Sequence, residues 1–187
     1  MKHRCNWPKD NPLMIAYHDE EWGVRVHDDQ KHFEFLVLDA FQAGLSWKTV
    51  LYKREALRRA FAGFDVARVA RMSEAQLEKL LEDPSIIRNR LKIYATVKNA
   101  KAFLEIQKEF GSFDRYIWSF VDYTTIVNRR KRTDPIPSTS KESDAMSKAL
   151  KKRGFTFVGS TICYAYMQAA GLVNDHMIEC FRYKELT

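Results

Sequence analysis

LVLDAFQAGLSWKTVL, residues Leu36–Leu51, reads as the end of one apolar helix, a tight corner at Gly44-Leu45, and the start of a second helix. Ser46 suits the N-cap, where its hydroxyl accepts from amides that the first turn leaves unpaired. Gly44 suits a corner that needs positive φ directly after a helix. Working outward, Phe33, Leu36, Val37, Ala40 and Phe41 recur at helical spacing and form one continuous apolar face. Asp39 lies off the middle of that face, so it is predicted to border a cleft. Trp47 offers a flat ring just past the corner. A carboxylate beside an aromatic face can hold a cationic, planar ligand. The plainer reading sends Asp39 to solvent and Trp47 to the core.

The rest of the chain repeats the helical pattern. Helices are predicted over Leu13–Glu20, Asp29 to the corner, Trp47–Ala62, Asp65–Ala70, Ser73–Leu81, Arg88–Phe110, Phe113–Val121, Asp144–Arg153 and Ser160–Ala170, with a last element over Asn174–Tyr183. Ser73 with Gln76 makes a capping-box signature, and Asp83-Pro84 breaks the helix that it opens. No alternating β pattern runs longer than Phe155–Val158, so the expected fold class is all-α. Lys53, Arg54, Arg58 and Arg59 coat the outer side of the second helix, as a solvated face or as phosphate contacts. Leu80–Val97 is helix, turn, helix, with Arg88, Arg90 and Lys92 just after the turn. Cations beside a helix N-terminus make a candidate phosphate clamp. Thr124–Thr139 is a basic, proline-bearing surface loop that touches DNA or is simply solvated.

Composition bounds these readings. A chain of 187 residues with 45% hydrophobic and 13% aromatic residues can bury a proper core and is expected to form one domain over 1–187. No apolar run approaches the roughly 20 residues that span a bilayer, and Met1 opens no signal-peptide pattern. Three widely spaced cysteines argue against a disulfide framework and for a reducing cytoplasm. A net charge of +7 suits a polyanionic partner.

Residues 1–28 carry Cys5, Trp7, Met14, Tyr17, His18, Trp22 and His27, an investment in large side chains that a frayed terminus would not repay. His176 and Cys180 are four apart and would share a face on a helix. With Cys5 and His18 they supply two thiolates and two imidazoles, the donor set of a closed tetrahedral zinc site with no position open for water. Such an ion would staple residues 1–28 to residues 172–187. The alternative is four unrelated side chains.

With these residues in hand, the chain resembles the DNA-3-methyladenine glycosylase I family. The resemblance rests on RCNW at Arg4–Trp7, AYHDEEWGV at Ala16–Val24, QAGLSWKTVL at Gln42–Leu51, IIRNRLKI at Ile86–Ile93, and the long stretch from Ile136 to His176 with the closing Cys180. It implies an all-α helix-hairpin-helix glycosylase fold, with the hairpin at Leu80–Val97 lacking the usual glycine-rich turn. It implies one structural zinc ion on Cys5, His18, His176 and Cys180. It also implies a monomeric, cytoplasmic, monofunctional enzyme that flips an alkylated nucleotide from double-stranded DNA and hydrolyses its N-glycosidic bond, with no membrane or protein partner. The family's pocket falls on Tyr17, Trp47 and Trp7. Two positions depart from it: Asp39 stands for a glutamate and Met14 for a tyrosine. In this reading Asp39 hydrogen-bonds the base edge and attracts the cation, and Trp47 stacks on the ring. Tyr17 adds a hydrogen bond, Leu45 wedges into the duplex gap, and Arg88, Arg90 and Lys92 hold phosphate. The two departures leave room for a glycosylase of a different alkylated base, or for a protein that binds alkylated DNA without cutting.

Overall fold

The computed structural model describes residues 3–187, so the expectation drawn at Met1 lies outside them. Pro12–Glu20 forms α1, Asp29–Gln42 α2, Trp47–Ala60 α3, Val66–Ala70 α4, Glu74–Glu82 α5, Arg90–Phe110 α6, Phe113–Trp118 α7, Lys141–Lys152 α8, Ser160–Ala169 α9 and Phe181–Glu185 α10. The described residues are therefore mostly helical, as the periodicity predicts. Local chemistry sets most starts. Asn11, Asp28, Ser46, Asp65, Ser73, Asn89, Ser112 and Ser140 each accept a backbone N–H of the first turn of the helix that follows. Ser140 pairs reciprocally with Ser143, which starts α8 earlier than the expected Asp144.

The architecture is built around α2. Every residue from His32 to Phe41 is buried, because α3, α6, α7 and α9 pack around it. A helix covered on all sides offers Asp39 no outer face, which rules out the solvent reading. The chain leaves α2 through Gly44 at φ 76° and enters α3 under the Ser46 cap, as the quoted stretch predicts.

Two corrections concern the C-terminal region. Ile126–Val127 (β1) and Val173–Asn174 (β2) form a small parallel pair, whereas Phe155–Val158 is not a strand. His176–Cys180 is a turn after β2 rather than part of a helix, and α10 begins only at Phe181. Elements this short carry too few residues to show a period. The N-terminal segment is tied to the same region by backbone pairing: Gly23 N–H donates to Gln168 O at 2.9 Å and Val26 N–H to Ala170 O at 3.1 Å. Gly171 makes this approach possible, since a Cβ there would lie 2.5 Å from the Val24 carbonyl.

Ion pairs fix the first three helices. Arg54 on α3 reaches Glu21 at 2.6 Å and Glu34 on α2 at 2.8 Å, and Arg58 reaches Glu34 at 2.6 Å. Burial pushes the Glu21 carboxyl up, but hydrogen bonds from Arg54 and Lys31 outweigh it and hold the group at about 2. Arg54 and Arg58 thus serve the fold, not an outer basic face.

Candidate active site and metal cluster

Where α1, α2, α3 and α9 meet, a cavity of about 270 Å³ opens between aromatic side chains. Trp7, Met14, Tyr17, Asp39 and Trp47, named from the sequence, all line it. So do Trp22, Gln42, Ile136, Ala165 and Gln168, which no sequence argument assigned to a pocket. Each helix delivers its side chain for a local reason. α1 places Met14 and Tyr17 one turn apart, the α2 C-terminus brings Asp39, and the Ser46 cap sets Trp47 at the first position of α3. The Tyr17 and Trp47 rings tilt by 51° with centroids 4.9 Å apart, and Trp7 meets Trp22 edge-on at 5.1 Å.

Polar atoms in these walls are unmatched. Asp39 is 1% exposed, and its Oδ2 is buried without a hydrogen-bond partner among the described residues. Burial alone raises its carboxyl well above the usual carboxylate range. The buried indole N–H groups of Trp7 and Trp47 also lack partners there. Unpaired polar groups around a cavity cost stability unless something entering the cavity uses them. Burial likewise pushes the Tyr17 hydroxyl up, with Asp39 nearby adding to it, so Tyr17 keeps its proton as a donor.

The corner that carries Asp39 and Trp47 has an unforeseen support. Lys92, expected to face phosphate, is instead buried, and its Nζ donates to Phe41 O at 2.8 Å and Ala43 O at 2.5 Å. It closes carbonyls that the end of α2 leaves free, with its charge on the favourable side of the helix dipole. The Lys92 expectation is therefore corrected: an ammonium committed to two carbonyls is not offered to DNA. Arg90 sits at the surface, bound to Glu78 at 2.7 Å, while Arg88 is exposed and Leu45 projects from the corner with 42% exposure.

Behind the Trp7 wall, Cys5, His18, His176 and Cys180 converge, all buried, with their ligand atoms within 4.8 Å of one another. Cys180 Sγ lies 3.5 Å from both His18 Nε2 and His176 Nδ1, and Cys5 Sγ lies 3.6 Å from His176 Nδ1. Tetrahedral zinc with ordinary bond lengths puts sulfur and nitrogen ligands about 3.5 Å apart. The far ring nitrogens are also held, His18 Nδ1 against Asp19 at 2.7 Å and His176 Nε2 against the Trp22 carbonyl at 2.9 Å. Such outer contacts orient metal-binding imidazoles. The donor set fits a closed, four-ligand ion. The cluster adjoins the cavity, because Trp7 packs edge-on against His18 at 5.4 Å.

Comparisons with known proteins place the chain in a family. The chain is 51% identical over 180 residues to DNA-3-methyladenine glycosylase 1 of Escherichia coli (strain K12), covering 96% of each protein. A crystal structure of 3-methyladenine DNA glycosylase I superposes with a TM-score of 0.93 at 51% identity, covering 96% of this chain and 98% of that one. The Staphylococcus aureus 3-methyladenine DNA glycosylase I, in a structure concerned with 3-methyladenine recognition, superposes with a TM-score of 0.91 at 33% identity, over 95% of both chains. With residues 7–183 also matching the methyladenine glycosylase family model, this chain belongs to that family.

Proposed function

We propose that this protein excises 3-methyladenine from alkylated double-stranded DNA, hydrolysing the N-glycosidic bond of a flipped nucleotide and leaving an abasic site. The observation that carries the reading is the aromatic cavity with a buried, unpartnered Asp39 at its wall. Methylation at N3 makes adenine cationic and weakens its glycosidic bond, so the base departs without strong acid catalysis. The tasks left to the protein are to take the nucleotide out of the stack and to recognise the cation.

Asp39 is the group on which this depends. Burial favours its neutral form. A cationic base supplies the counter-charge that the protein withholds, so the carboxylate ionises against methylated base and not against a normal one. Trp47 stacks on the ring, adding about 0.5–2 kcal/mol of cation–π preference for the charged base. Tyr17 donates a hydrogen bond and Trp7 and Met14 complete the walls. Leu45 enters the gap left in the duplex, and Arg88 and Arg90 meet phosphate at the hairpin of residues 80–97. Cys5, His18, His176 and Cys180 hold one zinc ion, whose contribution is structural because four protein ligands leave no site for an activated water. The whole chain acts as one domain, a cytoplasmic monomer whose partner is DNA.

Mass spectrometry of bases released from methylated duplex DNA tests the reading. Free 3-methyladenine is expected, with most of it lost in Asp39→Asn while DNA binding persists. Wild-type release in that variant would remove Asp39 from the mechanism. Binding without any release by the folded wild-type protein would favour a non-catalytic binder.

A further inference from the structure

Gln168 stands on α9 at the wall of the cavity that Asp39 also lines, on the same helix as Ala165. Its amide group is not free to rotate. Nε2 donates to Asp175 Oδ2 at 2.8 Å. Asp175 is 2% exposed and already accepts Tyr164 OH at 2.7 Å, Asn128 Nδ2 at 2.7 Å and Arg130 Nε at 2.6 Å. Each carboxylate oxygen thus takes two donors, which fills its acceptor capacity. A carboxylate in that position accepts only, so the side of the Gln168 amide turned toward it must be the NH2. The carbonyl oxygen Oε1 is then left over, with no hydrogen-bond partner among the described residues.

We infer that Gln168 is a specificity-determining residue, which reads an amino group on the base edge with its carbonyl oxygen, and that Asp175 is the positioning residue that fixes that orientation. The inference rests on the proposed excision of 3-methyladenine and names how the cavity selects among N3-methylated purines. An adenine-type base carries an amino group at ring position 6 and donates to Oε1. A guanine-type base carries a carbonyl there and meets acceptor with acceptor, leaving both unpaired. Charge does not separate these two bases, since N3-methylation makes both cationic, so Asp39 and Trp47 attract either. The amide adds a contact at that edge which only the adenine-type base satisfies.

The test compares wild type, Gln168→Met and Asp175→Asn for release of 3-methyladenine and 3-methylguanine from methylated duplex DNA. Binding of the two free bases is followed in parallel by tryptophan fluorescence. Gln168→Met keeps the length of the side chain and loses the acceptor. It is expected to shrink the preference for the adenine-type base roughly tenfold, chiefly through slower 3-methyladenine release. Asp175→Asn lets the Gln168 amide turn over, and is expected to move the preference toward 3-methylguanine. A packing role for Gln168 would change both bases alike and leave the ratio untouched. An unaltered ratio in folded Gln168→Met overturns the inference, as does a wild type without preference. Should Asp175→Asn fail to fold, Gln168→Met decides alone. Should the wild type release neither base, the proposed activity fails, and the free-base titrations still decide the role of Gln168.

Discussion

Asp39 concentrates the conflict between folding and function in one side chain. Nothing among the described residues balances its charge, and burial has moved its proton affinity upward. Its folded form therefore keeps a proton at pH values where the unfolded chain has released it. Stability is then lost as pH rises from about 4 through the folded-state value, and stays lower above it. Asp39→Asn removes that penalty. The variant should be more stable than wild type by on the order of 1–3 kcal/mol at alkaline pH, with the gap closing toward pH 4. Denaturant melts across pH check this, and a gap that does not depend on pH would mean that the carboxyl finds a partner in solution. Activity should run the opposite way. In the proposed role of Asp39 base release needs the ionised carboxylate, so it is expected to fall on the acid side, and Asp39→Asn should abolish that limb of the profile.

Among the elements, the corner between α2 and α3 carries the site, and Lys92 on α6 closes it. Spacing and charge had grouped Lys92 with Arg88 and Arg90, but the three separate in space. Arg88 is exposed, Arg90 is paired with Glu78, and Lys92 lies beneath them on the α2 carbonyls. Arg88→Ala is expected to weaken DNA binding and lower the slope of log affinity against log salt by about 1. Lys92→Met should leave that slope alone. It should instead cost about 1–3 kcal/mol of stability by orphaning buried carbonyls, and slow base release by loosening Asp39 and Trp47. Salt titrations beside thermal melts separate the two roles. A reduced salt slope in the Lys92 variant would return that residue to the DNA surface.

For the molecule as a whole, the question is what joins the two ends of the chain. Cys5 and His18 meet His176 and Cys180 in one buried cluster, beside the backbone pairing around Gly23, Val26 and α9. The Trp7 ring lies between that cluster and the cavity. Removing the proposed zinc ion with a chelator is expected to lower the melting temperature first. Base release should then decline through displacement of the Trp7 wall rather than through the chemistry. Metal analysis with melts before and after chelation checks this, and an unchanged melting temperature in zinc-depleted protein would end the structural role. The net charge of +7 suits a polyanionic partner, and no helix among the described residues is long and apolar enough to cross a membrane.

Much of this was legible before any coordinates. Helical spacing, N-caps and helix-ending glycines are local signals, which is why α2, the Gly44 corner, α3, α5 and the bulk of α6 fall near their expected bounds. Residue chemistry also singled out Asp39, Trp47, Tyr17 and the four Cys and His side chains, because an acid in an apolar stretch and thiols with imidazoles stand out anywhere. Tertiary structure alone decided the rest. Whether Asp39 faced solvent depended on what covered α2. Whether Lys92 faced DNA or two carbonyls depended on how α6 crossed the corner. That His176 and Cys180 share a turn rather than a helix depended on β1 pairing with β2 from far along the chain. Gln168 gave no signal at all, since a glutamine in a helix acquires its orientation only when Asp175 meets it in space. Periodicity reports how a segment buries itself; it carries no information about which distant polar group completes a hydrogen bond.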